Sequence, residues 1–100
     1  MRRQFILAPL FLLVLSMPAL ADVTVGEKLF NSTNLGTNGK SCHSCHANGQ
    51  GLMELNDYDS TVLQGLINIC IEDALKGKPL ADDASELRDI EAYIRQFSEK

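Results

Sequence analysis

Histidine and cysteine are scarce in this chain of 100 residues, which contains two histidines and three cysteines. An odd number of cysteines leaves at least one thiol without an intramolecular partner, so a disulfide framework explains the set poorly. A structural zinc site needs four ligands, usually in two separated pairs, whereas His43 and His46 lie in one short segment. The chain therefore gives little support to a disulfide-stabilised or a zinc-binding protein.

Basic residues are also in the minority, with nine Lys and Arg against 13 Asp and Glu, and Arg2 and Arg3 are two of the nine. A nucleic-acid-binding domain is expected to have the opposite charge balance, so we expect no nucleic-acid partner. An acidic chain is favoured for solubility and is attracted to basic partner surfaces.

The first residues have the layout of a secretory signal peptide. Arg2 and Arg3 precede the apolar run FILAPLFLLVLSMPAL, residues 5–20. Residues 19–21, at the end of this run, have the small-x-small cleavage pattern ALA. The run is shorter than the roughly 20 residues that span a bilayer, and two prolines interrupt it. We therefore expect residues 1–21 to be cleaved, and residues 22–100 to form a single domain. The product is expected to be periplasmic or otherwise exported, soluble and not inserted in a membrane.

The chain after residue 21 shows no internal repeat and no strand-like alternation. Its first helical segment is TVGEKLFN, residues 24–31, which opens with the capping-box spacing Thr24-x-x-Glu27. Residues 31–51 are rich in Asn, Gly, Ser and Thr, and this composition predicts a loop.

Two further segments carry apolar residues with the 3.6-residue period of a helix. One is predicted over residues 59–76, where a glycine and a proline follow it. The other is predicted over residues 83–97, opening at Asp83 with a second capping-box spacing. The sequence thus predicts an all-α domain of about three main helices and long loops, a size at which a bound group usually supplements the core.

The predicted loop contains KSCHSCHANG, in which Cys42, Cys45 and His46 form the pattern C-x-x-C-H. Two cysteines at this spacing can each add to a vinyl group of a haem, and the adjacent histidine then lies under the iron. A thioredoxin-like redox pair would be expected beside a βαβ pattern, which the sequence lacks. We therefore predict one covalently attached haem c, with thioether bonds at Cys42 and Cys45 and with His46 as the proximal iron ligand.

The motif does not identify the ligand on the other face of the iron. Met53 is the one methionine after residue 21, and it follows His46 by seven residues. Seven extended residues reach roughly 24 Å, so the chain is long enough for Met53 either to reach the iron or to pack in the loop. Cys70 lies on the apolar stripe of the second helix, either as a ligand or as a buried free thiol. Lys76 and Lys78 have side chains long enough to reach a haem iron. A lysine at the C-terminal end of a helix is also stabilised by the helix dipole, which explains both residues without a metal.

The whole chain after residue 21 resembles the class I c-type cytochromes. Gly26-x-x-x-Phe30 in the first helix is similar to that family's N-terminal pattern, and Tyr93 in the last helix is similar to its aromatic partner. The resemblance implies the small class I cytochrome c fold, in which the terminal helices cross closely at the glycine. Most members use a methionine well downstream of C-x-x-C-H as the second ligand, and Met53 departs from that position.

Residues 67–80, INICIEDALKGKPL, resemble the His/Cys-ligated haem domain of thiosulfate dehydrogenases, in which a cysteine precedes a G-x-P-L stretch. The chain also resembles small His/Cys-ligated monohaem cytochromes of anaerobic nitrogen metabolism, which form heterodimers and bind nitric oxide and carbon monoxide. These resemblances imply that Cys70 is the distal ligand, with Met53 as the alternative in a conventional His/Met electron carrier.

Three functions follow from the resemblances. The first is low-potential electron transfer between redox partner proteins, because an anionic thiolate stabilises ferric iron. The second is redox-gated binding of NO or CO, with a related His/Cys cytochrome as a heterodimer partner. The third is a haem subunit of a thiosulfate-type enzyme complex.

We expect no catalytic residues and no stand-alone enzyme, because the sequence has no second haem motif, acid/base pair or nucleophile constellation. One acidic group near the third helix is either a docking patch for a basic partner or a solvated helix start. Its members are Asp82, Asp83, Glu86 and Asp89.

Overall fold

The helices of this protein are seen in a computed structural model that describes residues 20–98. The predicted signal peptide, apart from its last two residues, lies outside this range. The α-helices are α1 (Val23–Asn31), α2 (Cys42–Cys45), α3 (Ser60–Ile69) and α4 (Ser85–Arg95). Shorter 3₁₀ turns cover Ala47–Gly49, Met53–Asp57 and Gln96–Ser98, and a π turn, Cys70–Ala74, continues α3.

Within residues 20–98 there is no strand, which confirms the all-α prediction and its three main helices. The additional helix, α2, is a single turn inside the segment that the sequence predicts as loop. In the same range, no helix combines the length and apolar content that crossing a membrane requires.

Two of the predicted helix starts were wrong. The side chain of Asp22 caps α1 by accepting a hydrogen bond from the backbone N–H three residues on, so Thr24 is not the cap. A backbone turn precedes α4, which therefore starts two residues after Asp83 and has no side-chain cap. The start of α3 is as predicted, because Asp59 caps it with a 2.9 Å hydrogen bond.

Helices α1 and α4 cross at Gly26, as the resemblance implied. A Cβ atom at this position would overlap the backbone carbonyl of Asp89, so only a hydrogen atom leaves room for the crossing. One turn further, the ring of Phe30 packs edge-on against Tyr93 with centroids 5.2 Å apart, and Tyr93 packs in turn against Phe97 at 5.0 Å. The crossing holds both ends of the described chain together around one core.

The core is one cluster of buried side chains drawn from every main helix. Its apolar stripes on α3 and α4 are those that the helical period predicted. The members are Phe30, Cys42, Leu52, Leu63, Ile67, Ile71, Leu75, Leu87, Ile90 and Ile94.

The end of α3 is a wide turn that the sequence did not indicate. The N–H of Leu75 donates to the carbonyl of Cys70 at 3.1 Å, five residues back, and Gly77 donates to Ile71 at 2.8 Å. Lys76 then takes a left-handed conformation with φ of 58°, which is uncommon for a residue other than glycine. Cys70 is therefore the residue at which the regular helix changes to a π turn, a feature often found at functional sites.

The loop before the C-x-x-C-H motif holds this wide turn in place. Asn38 Nδ2 donates to the carbonyl of Ala74 at 2.9 Å, and Thr37 Oγ1 donates to that of Lys76 at 2.7 Å. These bonds satisfy carbonyls that the helix end leaves without intrahelical partners. They also tie the segment that leads into the motif to the segment that follows Cys70.

A buried carboxylate joins α3 to α4. Glu91 accepts hydrogen bonds from Ser60 Oγ at 2.7 Å, Gln64 Nε2 at 2.8 Å and Arg95 Nε at 2.8 Å. Burial raises the pKa of Glu91, but the three hydrogen bonds and the charge of Arg95 outweigh it, so the pKa lies below its ordinary value of 4.5. Arg95 also donates to the carbonyl of Tyr58 at 2.9 Å, which extends the network to the segment before α3.

Replacing Glu91 with glutamine is expected to lower the free energy of unfolding by about 1–3 kcal/mol at neutral pH. The new NH₂ group would lie against hydrogen-bond donors that the carboxylate now accepts from, so at least one donor would lose its partner. A lowered carboxyl pKa stabilises the fold above the unfolded-state value of 4.5, and this stabilisation is lost as the pH falls through the folded-state pKa. Guanidinium unfolding below and above pH 4.5 measures both effects. The exposed Glu27→Gln is the matched control, and equal pH profiles for the two variants would contradict the prediction.

Candidate haem site

An apolar cavity of about 270 Å³ opens beside α3 and α4. This volume lies just below the range of small-molecule and cofactor sites, about 300–1,000 Å³. The walls are almost entirely apolar side chains, and the three residues among them with metal-binding or nucleophilic groups are Cys42, His46 and Cys70. The apolar lining comprises Phe30, Leu52, Leu55, Leu63, Leu66, Ile67, Ile90 and Ile94, with Gly51 beside them.

His46 is oriented by the turn that follows it. Its Nδ1 lies 2.8 Å from the carbonyl oxygen of Gln50. A carbonyl oxygen only accepts, so Nδ1 carries the proton and the lone pair of Nε2 is left for a metal. Gly49 and Gly51 have φ angles of 75° and 82°, a conformation that glycine adopts readily, and this lets the chain fold back around the imidazole.

The two motif cysteines differ in their surroundings. Cys42 starts the single turn α2 and is buried, whereas Cys45 ends it and is exposed, so the cavity wall contains only the first of them. The turn is held by Ser41, whose N–H donates to Ser44 Oγ at 2.9 Å, and by the N–H of His46, which donates to the carbonyl of Cys42 at 3.0 Å. A single helical turn thus carries both sulfurs and leads directly into His46.

Cys70 enters the cavity from α3, at the residue where the π turn begins. A hydrogen bond from the thiol of Cys42 lowers the pKa of Cys70 to about 6; burial opposes this shift, and the electrostatic effect of the nearby His46 adds to it. The same hydrogen bond, together with burial, raises the pKa of Cys42. In the free chain, before any thioether bond forms, Cys70 is therefore the one of these two sulfurs favoured as a thiolate.

The other predicted ligands lie elsewhere. Met53 starts a 3₁₀ turn with 46% of its surface exposed, and it is not part of the cavity lining. Lys76 and Lys78 are exposed and also lie outside the lining. Among residues 20–98 no group of three or more His, Cys, Asp or Glu side chains is placed to hold a metal ion.

Sequence reasoning missed the residues that shape the cavity below the motif. Gln50 acts through its backbone carbonyl, and every residue has such a group, so no side-chain signal could have identified it. Leu52 and Leu55 line the wall, and their three-residue spacing after the glycines was the one available hint of a helical turn there.

The residues present fit a haem c. The apolar walls suit a macrocycle, His46 offers an oriented nitrogen, and Cys70 offers a sulfur that the attachment motif does not use. Cys42 lies in the same wall as His46, which is consistent with a covalent bond from the protein to the group between them.

Comparison with known proteins leads to the same group. The family model described as SoxA/TsdA, cytochrome c domain, matches residues 25–100. No curated protein and no solved structure matches at the required significance. A cytochrome c domain carries covalently bound haem c and transfers electrons. Because the matched residues make up most of the chain and include the motif, α3 and α4, the chain belongs to the SoxA/TsdA cytochrome c domain family.

Proposed function

We propose that this chain is a low-potential electron-transfer domain with one haem c, whose iron is bound by His46 and Cys70. The observation that supports this most directly is that both side chains line one apolar cavity, whereas Met53 is exposed outside it. The single C-x-x-C-H motif supports one haem. Export to the periplasm is part of the proposal, because haem attachment to this motif fits the signal-peptide layout of residues 1–21.

The residues of the chain determine how the site behaves. When bound, haem c supplies an iron centre that gains and loses one electron. The carbonyl of Gln50 holds the ring of His46 with Nε2 available. Leu63 and Ile67 exclude water from the surroundings of Cys70, so its negative charge acts more strongly than it would at an exposed site. An anionic ligand favours the oxidised state, which gives the low potential.

Haem attachment is expected to consume two of the three cysteines that the free chain carries, leaving only Cys70 as a thiol. Intact mass spectrometry of the exported protein should therefore show the chain from Asp22 plus one haem. Alkylation after denaturation should label one thiol per chain. Cys42→Ala and Cys45→Ala should each lose one thioether bond, seen as a shifted ferrous absorption band. A second haem, or three reactive thiols in the loaded protein, would contradict the proposal.

A role as the haem subunit of a sulfur-compound-oxidising complex is favoured over an isolated carrier, because the family model is that of SoxA and TsdA proteins. In this proposal the chain accepts electrons and a partner binds the sulfur compound. Stopped-flow mixing with thiosulfate should leave the purified protein oxidised and should reduce it once the native partner is present. Catalytic turnover of thiosulfate by the protein alone would overturn this assignment and the expectation that it is no stand-alone enzyme.

Binding of NO or CO, in a heterodimer with a related cytochrome, stays a prediction. It requires the side chain of Cys70 to move away from the distal position. Carbon monoxide added to the reduced protein should then change its absorption spectrum, and an unchanged spectrum would contradict gas binding.

A further inference from the structure

The outward face of α3 is apolar and carries no charge. Val62, Leu66 and Ile69 expose 44%, 38% and 55% of their surface, although they belong to a helix whose other apolar residues are buried. Their spacing of four and then three residues places them in one line along the helix. We call these three residues the α3 strip.

The neighbours of the α3 strip add no polar cover. Thr61 and Gly65 are the other exposed residues of α3 that face outward beside it, and neither is charged. A Cβ atom at Gly65 would meet nothing within 4 Å, so no other part of the described chain packs directly against this residue, although Thr61 and Gly65 border a pocket that Asp82 also lines. Three large aliphatic side chains in one line differ from the single exposed apolar residues of an ordinary surface, and such groups mark interaction sites.

The stretch of sequence that contains the α3 strip carries charge of one sign. Between Lys40 and Lys76 the sequence contains no lysine or arginine and five carboxylates. These carboxylates flank the strip at both ends of the helix: Glu54, Asp57 and Asp59 precede it, and Glu72 and Asp73 follow it. All five are exposed.

We propose that the α3 strip docks a protein partner whose surface has an apolar centre surrounded by lysine or arginine. The apolar residues would bury one another, and the flanking carboxylates would attract and orient the basic side chains. A second copy of this chain is disfavoured as the occupant, because it would bring carboxylates against carboxylates at both ends of the helix. This inference concerns a surface that borders the cavity, and it does not rest on the proposed function.

The α3 strip lies next to the cavity, because Leu66 belongs to both. A partner seated on the strip would therefore lie beside the haem site. The acidic group at the start of α4 is less suited to this role, since no exposed large apolar residue of the described chain lies on α4.

Docking at the α3 strip is tested with a designed helical peptide as the probe. The peptide has leucines in one line at spacings of four and three residues, flanked on both sides by lysines. A control peptide keeps the lysines and replaces the leucines with serine. Titration calorimetry compares the haem-loaded protein with its Val62→Ser and Ile69→Ser variants. Val25→Ser is the matched control, since Val25 is also 38% exposed but lies on α1.

We expect the leucine peptide to bind the wild type and Val25→Ser equally. Each strip variant should raise the dissociation constant roughly tenfold, the effect of losing one buried aliphatic side chain. Raising the salt concentration from about 0.05 to about 0.5 M should also weaken binding, since it screens the carboxylates. An unchanged absorption spectrum in each variant shows that the haem site is intact.

Three results would overturn the proposal. The first is no binding of the leucine peptide, or equal binding by the wild type and both strip variants. The second is binding of the serine peptide as tightly as the leucine peptide, which would show that charge alone accounts for the binding. The third is a concentration-dependent dimer in analytical ultracentrifugation that Ile69→Ser abolishes, because the occupant would then be a second copy.

Discussion

Replacing Cys70 with alanine is expected to convert the ferric haem protein from low spin to high spin and to raise its reduction potential. The variant removes the only cavity-lining sulfur that thioether formation does not use. Without the thiolate, ferric iron loses the anionic ligand that stabilises it, so the potential rises. Axial ligands move haem potentials over roughly 0.8 V, and a shift of more than about 0.1 V is therefore expected.

Electron paramagnetic resonance and a spectroelectrochemical titration measure the two effects of Cys70→Ala. The matched control is Met53→Leu, a change of similar volume at an exposed residue outside the cavity. It should leave both the low-spin signal and the potential unchanged. If Met53→Leu alters the signal and Cys70→Ala does not, the protein is a His/Met carrier. Cys70→Met should restore a low-spin state at a potential above that of the wild type, because a thioether is neutral.

Replacing Gly26 with alanine is expected to cause a large loss of stability. The new Cβ atom would overlap the backbone carbonyl of Asp89 and would lie 3.0 Å from the Cβ atom of Tyr93. Backbone atoms of a packed helix cannot rotate away as a side chain can, so α1 and α4 must separate. Overpacking of this kind costs about 1–3 kcal/mol, a large share of the 5–15 kcal/mol that holds a typical domain folded.

The matched control for Gly26→Ala is Gly65→Ala, the same change in the middle of α3. There a Cβ atom meets nothing within 4 Å, so only the helix preference remains. Gly65→Ala should raise the free energy of unfolding by about 0.5–1 kcal/mol. Guanidinium unfolding followed by circular dichroism compares the two proteins. Equal effects of the two substitutions would show that the helix crossing tolerates a side chain at Gly26.

The sequence was sufficient for the elements whose signals are local. The apolar period of α3 and α4 appears along the chain itself, and it identifies the buried face of each helix without reference to the helix that packs against it. The C-x-x-C-H motif is equally local, since covalent attachment requires the two cysteines and the histidine to be adjacent in sequence. The two capping-box predictions were wrong. Asp22 bonds the first free N–H groups of α1, and a backbone turn precedes α4, and the spacing of residues does not show which group caps a helix.

The position of Cys70 beside His46 depends on tertiary structure. From the sequence, Cys70 and Met53 were both available as the second ligand, because distance along the chain does not fix distance in space. Folding of α3 against α4 brings Cys70 into the cavity wall, and the 3₁₀ turn leaves Met53 at the surface. The π turn at Cys70 gave no signal either, since the carbonyls at its end accept hydrogen bonds from Thr37 and Asn38, which lie in a distant loop.

The sequence by itself therefore determined the helix pattern, the attachment motif and the acidic charge. The fold decided that Cys70 and not Met53 joins the histidine in the cavity wall, and which apolar face of α3 stays uncovered. The physical reason is the same for both results. A helical period shows which residues share a face, but what covers that face is set by helices that are remote in sequence and are brought together by core burial.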